Sequence, residues 1–154
     1  MAGRSALNKG KNGEREVAAI LNGLSMRVLR ELGFPEAEIS ARSIQRNQNQ
    51  SAVGGNDLSN CMGLGIEVKR HENLSGINGW WTQCVEGAKR NNEHPLLIYR
   101  PNHSPWKYRT IGHLHVPHGD YFSPAVVDFT HSDFETWFMH WCRHWYRQGG
   151  EQRT

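Results

Sequence analysis

Two carboxylates, Asp57 and Glu67, and an amine two residues further on, Lys69, are the side chains of this sequence whose types and spacing can do chemistry together. Asp57 follows Gly54, Gly55 and Asn56, and Glu67 and Lys69 lie in IEVKR, which alternates like a short strand. Side chains at i and i+2 of a strand share a face, so Glu67 and Lys69 look one way while Ile66 and Val68 look the other. Two oxygen ligands beside a lysine can hold a hard divalent cation against a phosphate and stabilise an attacking water or hydroxide. Each part has a plainer meaning alone. Asp57 is a common kind of turn residue, and Glu67 with Lys69 makes a weak surface ion pair.

A third acid is set by the helix that precedes them. Residues 14–32 place Val17, Ile20, Leu21, Leu24, Val28 and Leu32 on one stripe, with Asn12 as the expected N-cap and Gly33 then Pro35 as the stop. At about 100° per residue, Glu14 falls roughly 60° from the middle of that stripe and Glu16 about a right angle away. Glu14 can therefore turn toward the core, or simply be a favourable charge near a helix N-terminus. Residues 41–47 read as a short strand and 48–56 as a polar loop, with Gly63 and Gly65 flanking a hairpin that returns the chain through 66–70.

Further on, residues 76–92 carry a second helical stripe, Ile77, Trp80, Trp81, Cys84, Val85 and Ala88, and PLLIYR starting at Pro95 reads as a buried strand. A strand, a helix and a strand in this order predict a right-handed crossover and parallel pairing of the Glu67 strand with 96–100. Trp80 and Trp81 suit a core stripe more than a base-stacking surface. Residues 106–116 alternate as another strand, and 126–129 form an edge strand. His113, His115 and His118 have no cysteine or carboxylate at zinc-ligand spacing, which favours a polar strand face. Residues 132–148 form an amphipathic helix with Ser132 as cap and Glu135 completing a capping box. Its stripe of Phe134, Trp137, Phe138, Trp141 and Trp145 either covers the sheet or pairs two subunits, opposite a face of His140, Arg143, His144 and Arg147.

With 154 residues the chain suits one domain that buries about two-thirds of its unfolded surface. The expected organisation is a basic arm over 1–12, a single domain over 13–148 and a tail over 149–154. Three widely spaced cysteines without a CxxC point to a reducing compartment and to neither a disulfide framework nor a zinc ribbon. With no signal core and no apolar run of spanning length, an intracellular protein is expected. The net charge of +3 comes wholly from residues 1–50, which hold eight basic and five acidic side chains. Arg4, Lys9 and Lys11 precede any acid, so this segment can track a phosphate backbone or be an ordinary solvated terminus.

The order of Glu14 on a helix, Asp57, then Glu67-x-Lys69, then helix and strand resembles the PD-(D/E)xK nuclease superfamily. Within it the chain is most similar to the archaeal-type Holliday-junction resolvases, through KGKNGERE at Lys9 to Glu16, over roughly residues 9–100. The resemblance implies an α/β fold, a restriction-endonuclease-like mixed β-sheet core flanked by helices, here with an additional C-terminal amphipathic helix. It implies a metal-dependent endodeoxyribonuclease in which Asp57, Glu67, the Val68 carbonyl and Glu14 hold Mg²⁺ or Mn²⁺ and Lys69 orients the attacking water. Ser51 and Gln83 match positions near the scissile phosphate and on the second helix. Lys9, Lys11, Arg15, Arg46 and Arg70 would bind the backbone of a four-way DNA junction, and the family symmetry implies a homodimer. Asn56 departs from the pattern, which has proline before the first aspartate. A related nuclease of duplex, flap or single-stranded DNA is the alternative, followed by a catalytically silent DNA-binding domain.

Overall fold

The computed structural model describes residues 2–48, 56–117 and 121–149. Ser51, the Gly54-Gly55 pair and His118 lie outside these residues. The chain begins with helix α1 (Ala2–Glu31), a short helix α2 (Glu36–Ala41), strand β1 (Gln45–Arg46), strand β2 (Leu58–Ser59) and strand β3 (Leu64–His71). Helix α3 (Ile77–Arg90), strands β4 (His94–Pro101), β5 (Lys107–His115) and β6 (Phe122–Phe129), and helix α4 (His131–Arg147) follow.

Strands β3 to β6 form one sheet in that order, so β3 and β6 are its edges. β3 and β4 run parallel, with Ile66 opposite Leu96 and Val68 opposite Ile98, as the strand, helix, strand order predicts. The two later pairings are antiparallel, which makes the sheet mixed. The result is compatible with a restriction-endonuclease-like core. Alternation along β3 divides its work between two faces. Leu64, Ile66 and Val68 enter the main core with Val17 and Leu21 of α1 and Phe134 and Phe138 of α4. On the other face Leu97 and Tyr99 pack with Cys84 of α3 in a smaller cluster. Gly65 permits that second packing, because a Cβ there would lie 2.8 Å from the Ala88 Cβ.

Several local expectations change. α1 starts at Ala2, so the stretch expected as a basic arm is helical and Asn12 is an interior residue rather than the cap. Asn12 Oδ1 instead accepts from the Arg15 guanidinium at 3.4 Å. The helix does end at Gly33, φ 83°, in a Schellman turn closed by Phe34 N–H to Leu29 O and Gly33 N–H to Arg30 O, both 3.0 Å. The strand expected over 41–47 shrinks to Gln45–Arg46, because the preceding residues, EAEISA, form a helix that buries Ile39. β2 pairs with β1 rather than forming a hairpin with β3. The edge strand expected at 126–129 begins at Phe122, and α4 is capped by Thr130, whose Oγ1 accepts from Asp133 N–H at 3.2 Å, rather than by Ser132. Glu135 pairs with His131 at 3.0 Å and closes no capping box.

The aromatic stripe of α4 covers the sheet within the same chain. Phe134 is fully buried and stacks on Tyr108 of β5, ring centroids 3.8 Å apart. Arg143, expected on the solvent face, reaches back to Glu31 of α1 at 3.1 Å. Cys61, Cys84 and Cys142 are free and buried, and burial pushes the Cys84 and Cys142 thiols up to about 12, so they stay protonated and inert. No helix of the described residues is long and apolar enough to cross a membrane.

Candidate active site

Asp57 is fixed by three backbone-level bonds. Its N–H donates to Ile66 O at 3.1 Å, its carbonyl accepts from Asn47 N–H at 2.9 Å, and its Oδ2 accepts from Val68 N–H at 2.7 Å. This docks it along the free edge of β3, where residues 66 and 68 turn their backbone groups away from β4. The Val68 carbonyl faces the same edge by the same alternation. Asn47 can act here because β1 and β2 bring the two ends of the intervening loop together. β1 in turn is tied to α1 by Asn22, whose side chain donates to Ile44 O at 2.9 Å and accepts from Ile44 N–H at 2.7 Å.

The same clamp brings α1 and β1 into register for an ion pair, Arg46 to Glu14 at 2.6 Å. Glu14 is only 8 % exposed and Glu67 only 7 %. Lys69 reaches Glu67 at 2.8 Å, as strand alternation predicts. Glu14, Asp57, Glu67 and Lys69 therefore line one cavity of about 1180 Å³ between the N-terminal half of α1, the edge of β3 and α3. Burial, then the charge of Glu67, pushes the Asp57 carboxyl up to about 7, with Glu14 adding to the effect and the Val68 N–H and Lys69 opposing it.

Lys9, Val68, Arg70 and Gln83 line the same cavity, Gln83 while remaining exposed, whereas Lys11 and Arg15 are exposed on α1. Arg70 is held at 3.0 Å by Glu16, which also accepts from Arg100 at 2.8 Å. Glu16 lies off the apolar stripe of α1, and nothing in its spacing pointed to this role. Asn56, where the family pattern has proline, donates to Glu93 Oε1 at 2.6 Å and accepts through its backbone from Asn47 at 3.0 Å. An asparagine bonded on both sides fixes the approach to Asp57 as a proline would by restricting the backbone.

Among the described residues no three His, Cys, Asp or Glu side chains form a preset metal cage, and His113 and His115 are both exposed. A site for Mg²⁺ does not require a cage: this ion is usually held by one or two carboxylates, several waters and a substrate phosphate. Asp57 and Glu67 offer two hard oxygen donors whose mutual repulsion the Val68 N–H and Lys69 oppose, a charge balance that a divalent cation would complete.

A mixed α/β sheet whose edge holds Asp57 beside Glu67-x-Lys69 is compatible with a PD-(D/E)xK type of architecture. A model of the family described as "Phage putative PDDEXK endonuclease" matches residues 5–111, and the chain belongs to that family. The match runs from α1 into β5 and takes in Glu14, Asp57, Glu67 and Lys69. None of the curated proteins compared with the chain matches it significantly.

Proposed function

We propose that the protein is a divalent-metal-dependent endodeoxyribonuclease that hydrolyses phosphodiester bonds in branched DNA, with the four-way junction as reference substrate. The observation that carries this is the Val68 N–H bond to Asp57 at 2.7 Å, which sets that carboxylate against the strand bearing Glu67 and Lys69. Asp57, Glu67 and the Val68 carbonyl are the donors proposed for Mg²⁺ or Mn²⁺, with Glu14 reaching it directly or through water. When bound, the cation supplies Lewis-acid stabilisation of charge on the phosphate and lowers the pKa of water. Lys69, paired with Glu67 at 2.8 Å, would orient the attacking water and offset phosphate charge. Arg46 neutralises Glu14 so that the third acid does not repel the DNA. Lys9, Lys11, Arg15, Arg46 and Arg70 are the cations proposed for the DNA backbone, which would give affinity governed by shape and salt. Ser51 and Gln83 are proposed near the scissile phosphate, and a homodimer would cut both strands of a junction.

The test is cleavage of a synthetic four-way junction beside linear duplex of the same sequence, at equal metal and salt. Cleavage should need Mg²⁺ or Mn²⁺, stop with EDTA and favour the junction. Asp57→Asn should lower the rate by roughly a thousandfold or more, since several kcal/mol of transition-state stabilisation are lost, while junction binding in Ca²⁺ persists. Equal rates on both DNAs would remove branch selectivity, and full activity of the variant would refute the site.

A further inference from the structure

Beyond Lys69 the cavity continues along β3 to His71, on the same face of the strand as Glu67 and Lys69. At about 3.3 Å of rise per residue, the three side chains stand roughly 6.6 Å apart in a row. His71 is exposed, and one face of its imidazole lies on the Trp80 indole of α3, with centroids 4.5 Å apart and planes within 22°. Trp80 is itself half-buried and cannot retreat. Its ring passes over Gly76, where a Cβ would come within 2.7 Å of Nε1, and it packs on the cluster of Cys84, Leu97 and Tyr99. A planar, supported ring thus opens into the cavity one strand repeat beyond the lysine. Burial, then the charges of Lys69 and Lys9, lower the His71 pKa, so the ring is a neutral π surface at neutral pH, and both lysines line the same cavity.

We propose that His71, backed by Trp80, is a stacking platform for one unstacked nucleobase next to the scissile phosphate, with Lys9 and Lys69 taking the phosphates on either side of it. This rests on the nuclease reading and narrows its substrate to DNA in which a nucleotide at the site is unpaired or readily extruded, as where stacking is interrupted at a branch. A base inside a duplex has both faces covered and must be extruded first, at a cost of a few kcal/mol, which is least for a base already unpaired. An aromatic platform takes any base, because every base has a π face. The site would accordingly select by structure and tolerate sequence.

Binding separates this from the hydrolytic assignment. The full chain in EDTA is titrated into dye-labelled thymidine homo-oligonucleotide and into an abasic oligomer of equal length, which carries the same phosphates and no bases. Wild type should bind the thymidine strand about tenfold more tightly, toward the low end for one base–aromatic stack. His71→Ala should erase that difference and leave abasic binding unchanged; His71→Phe should keep it. Gly76→Ala, which displaces Trp80, should reduce it. Equal binding of the two oligomers by wild type, or a difference that survives His71→Ala, overturns the platform. Cleavage of branched DNA in Mg²⁺, measured separately on the same preparations, judges the nuclease reading whatever the platform does.

Discussion

The two faces of β3 are built from alternate residues of one strand and obey opposite rules. Leu64, Ile66 and Val68 are buried with the aromatic residues of α4 and the stripe of α1 in the main apolar core. Gly65, Glu67 and Lys69, one step away along the backbone, meet a small second cluster and a wide polar cavity. The first face holds the strand in place so that the second can carry acids in a repulsive arrangement. Stability and chemistry are separated by about 3.3 Å of strand rise, and each should be removable without the other.

The largest expected effect on folding comes from the core face. Phe138→Ala deletes a fully buried ring from α4 and should cost about 3–5 kcal/mol, read as a lower urea midpoint at unchanged m-value. Under conditions where the variant is folded, its affinity for Mn²⁺ should match that of wild type; a large loss would show that the two faces are not separable.

The second expectation comes from the site face and has the opposite sense. The Asp57 carboxyl is held up to about 7, whereas its ordinary value is 3.8. Between those limits the folded state keeps a proton that the unfolded state has lost, so unfolding releases it and stability falls as pH rises, levelling above about 7. In EDTA, wild type should therefore lose stability from pH 5 to pH 8, Asp57→Asn should lose less, and Mg²⁺ should restore wild type at the upper pH. Identical pH slopes for both proteins would mean that the carboxylates do not strain the metal-free fold.

The smallest effect lies at the first turn of α4. Thr130→Ala removes the cap of α4 at its Asp133 N–H and should cost about 1 kcal/mol with cleavage unchanged. Ser132→Ala, at the position that sequence alone suggests as the cap, should cost far less, and thermal melts of the pair decide between them.

What the chain of residues determined by itself was whatever depends on local spacing. Alternation put Glu67 and Lys69 together, helical periodicity found the apolar stripes of α1, α3 and α4, and the strand, helix, strand order gave the parallel pairing of β3 with β4. Those features are short-range, and side-chain period follows from backbone geometry alone. The helical run over residues 2–12 was not legible, since Gly3, Gly10 and Asn12 all argue against continuation. The structure continues it along the cavity wall, where Gly13 lies against Arg70 and Trp106. Tertiary structure alone decided that Asp57 docks on the edge of β3, that Asn22 clamps β1 so that Arg46 meets Glu14, that Glu16 gathers Arg70 and Arg100, and that Trp80 lies under His71. Each of these joins residues distant in sequence or set on different elements, through hydrogen bonds, ion pairs and ring contacts that carry no periodic signature. They exist only once the apolar faces have packed and brought the polar groups within reach.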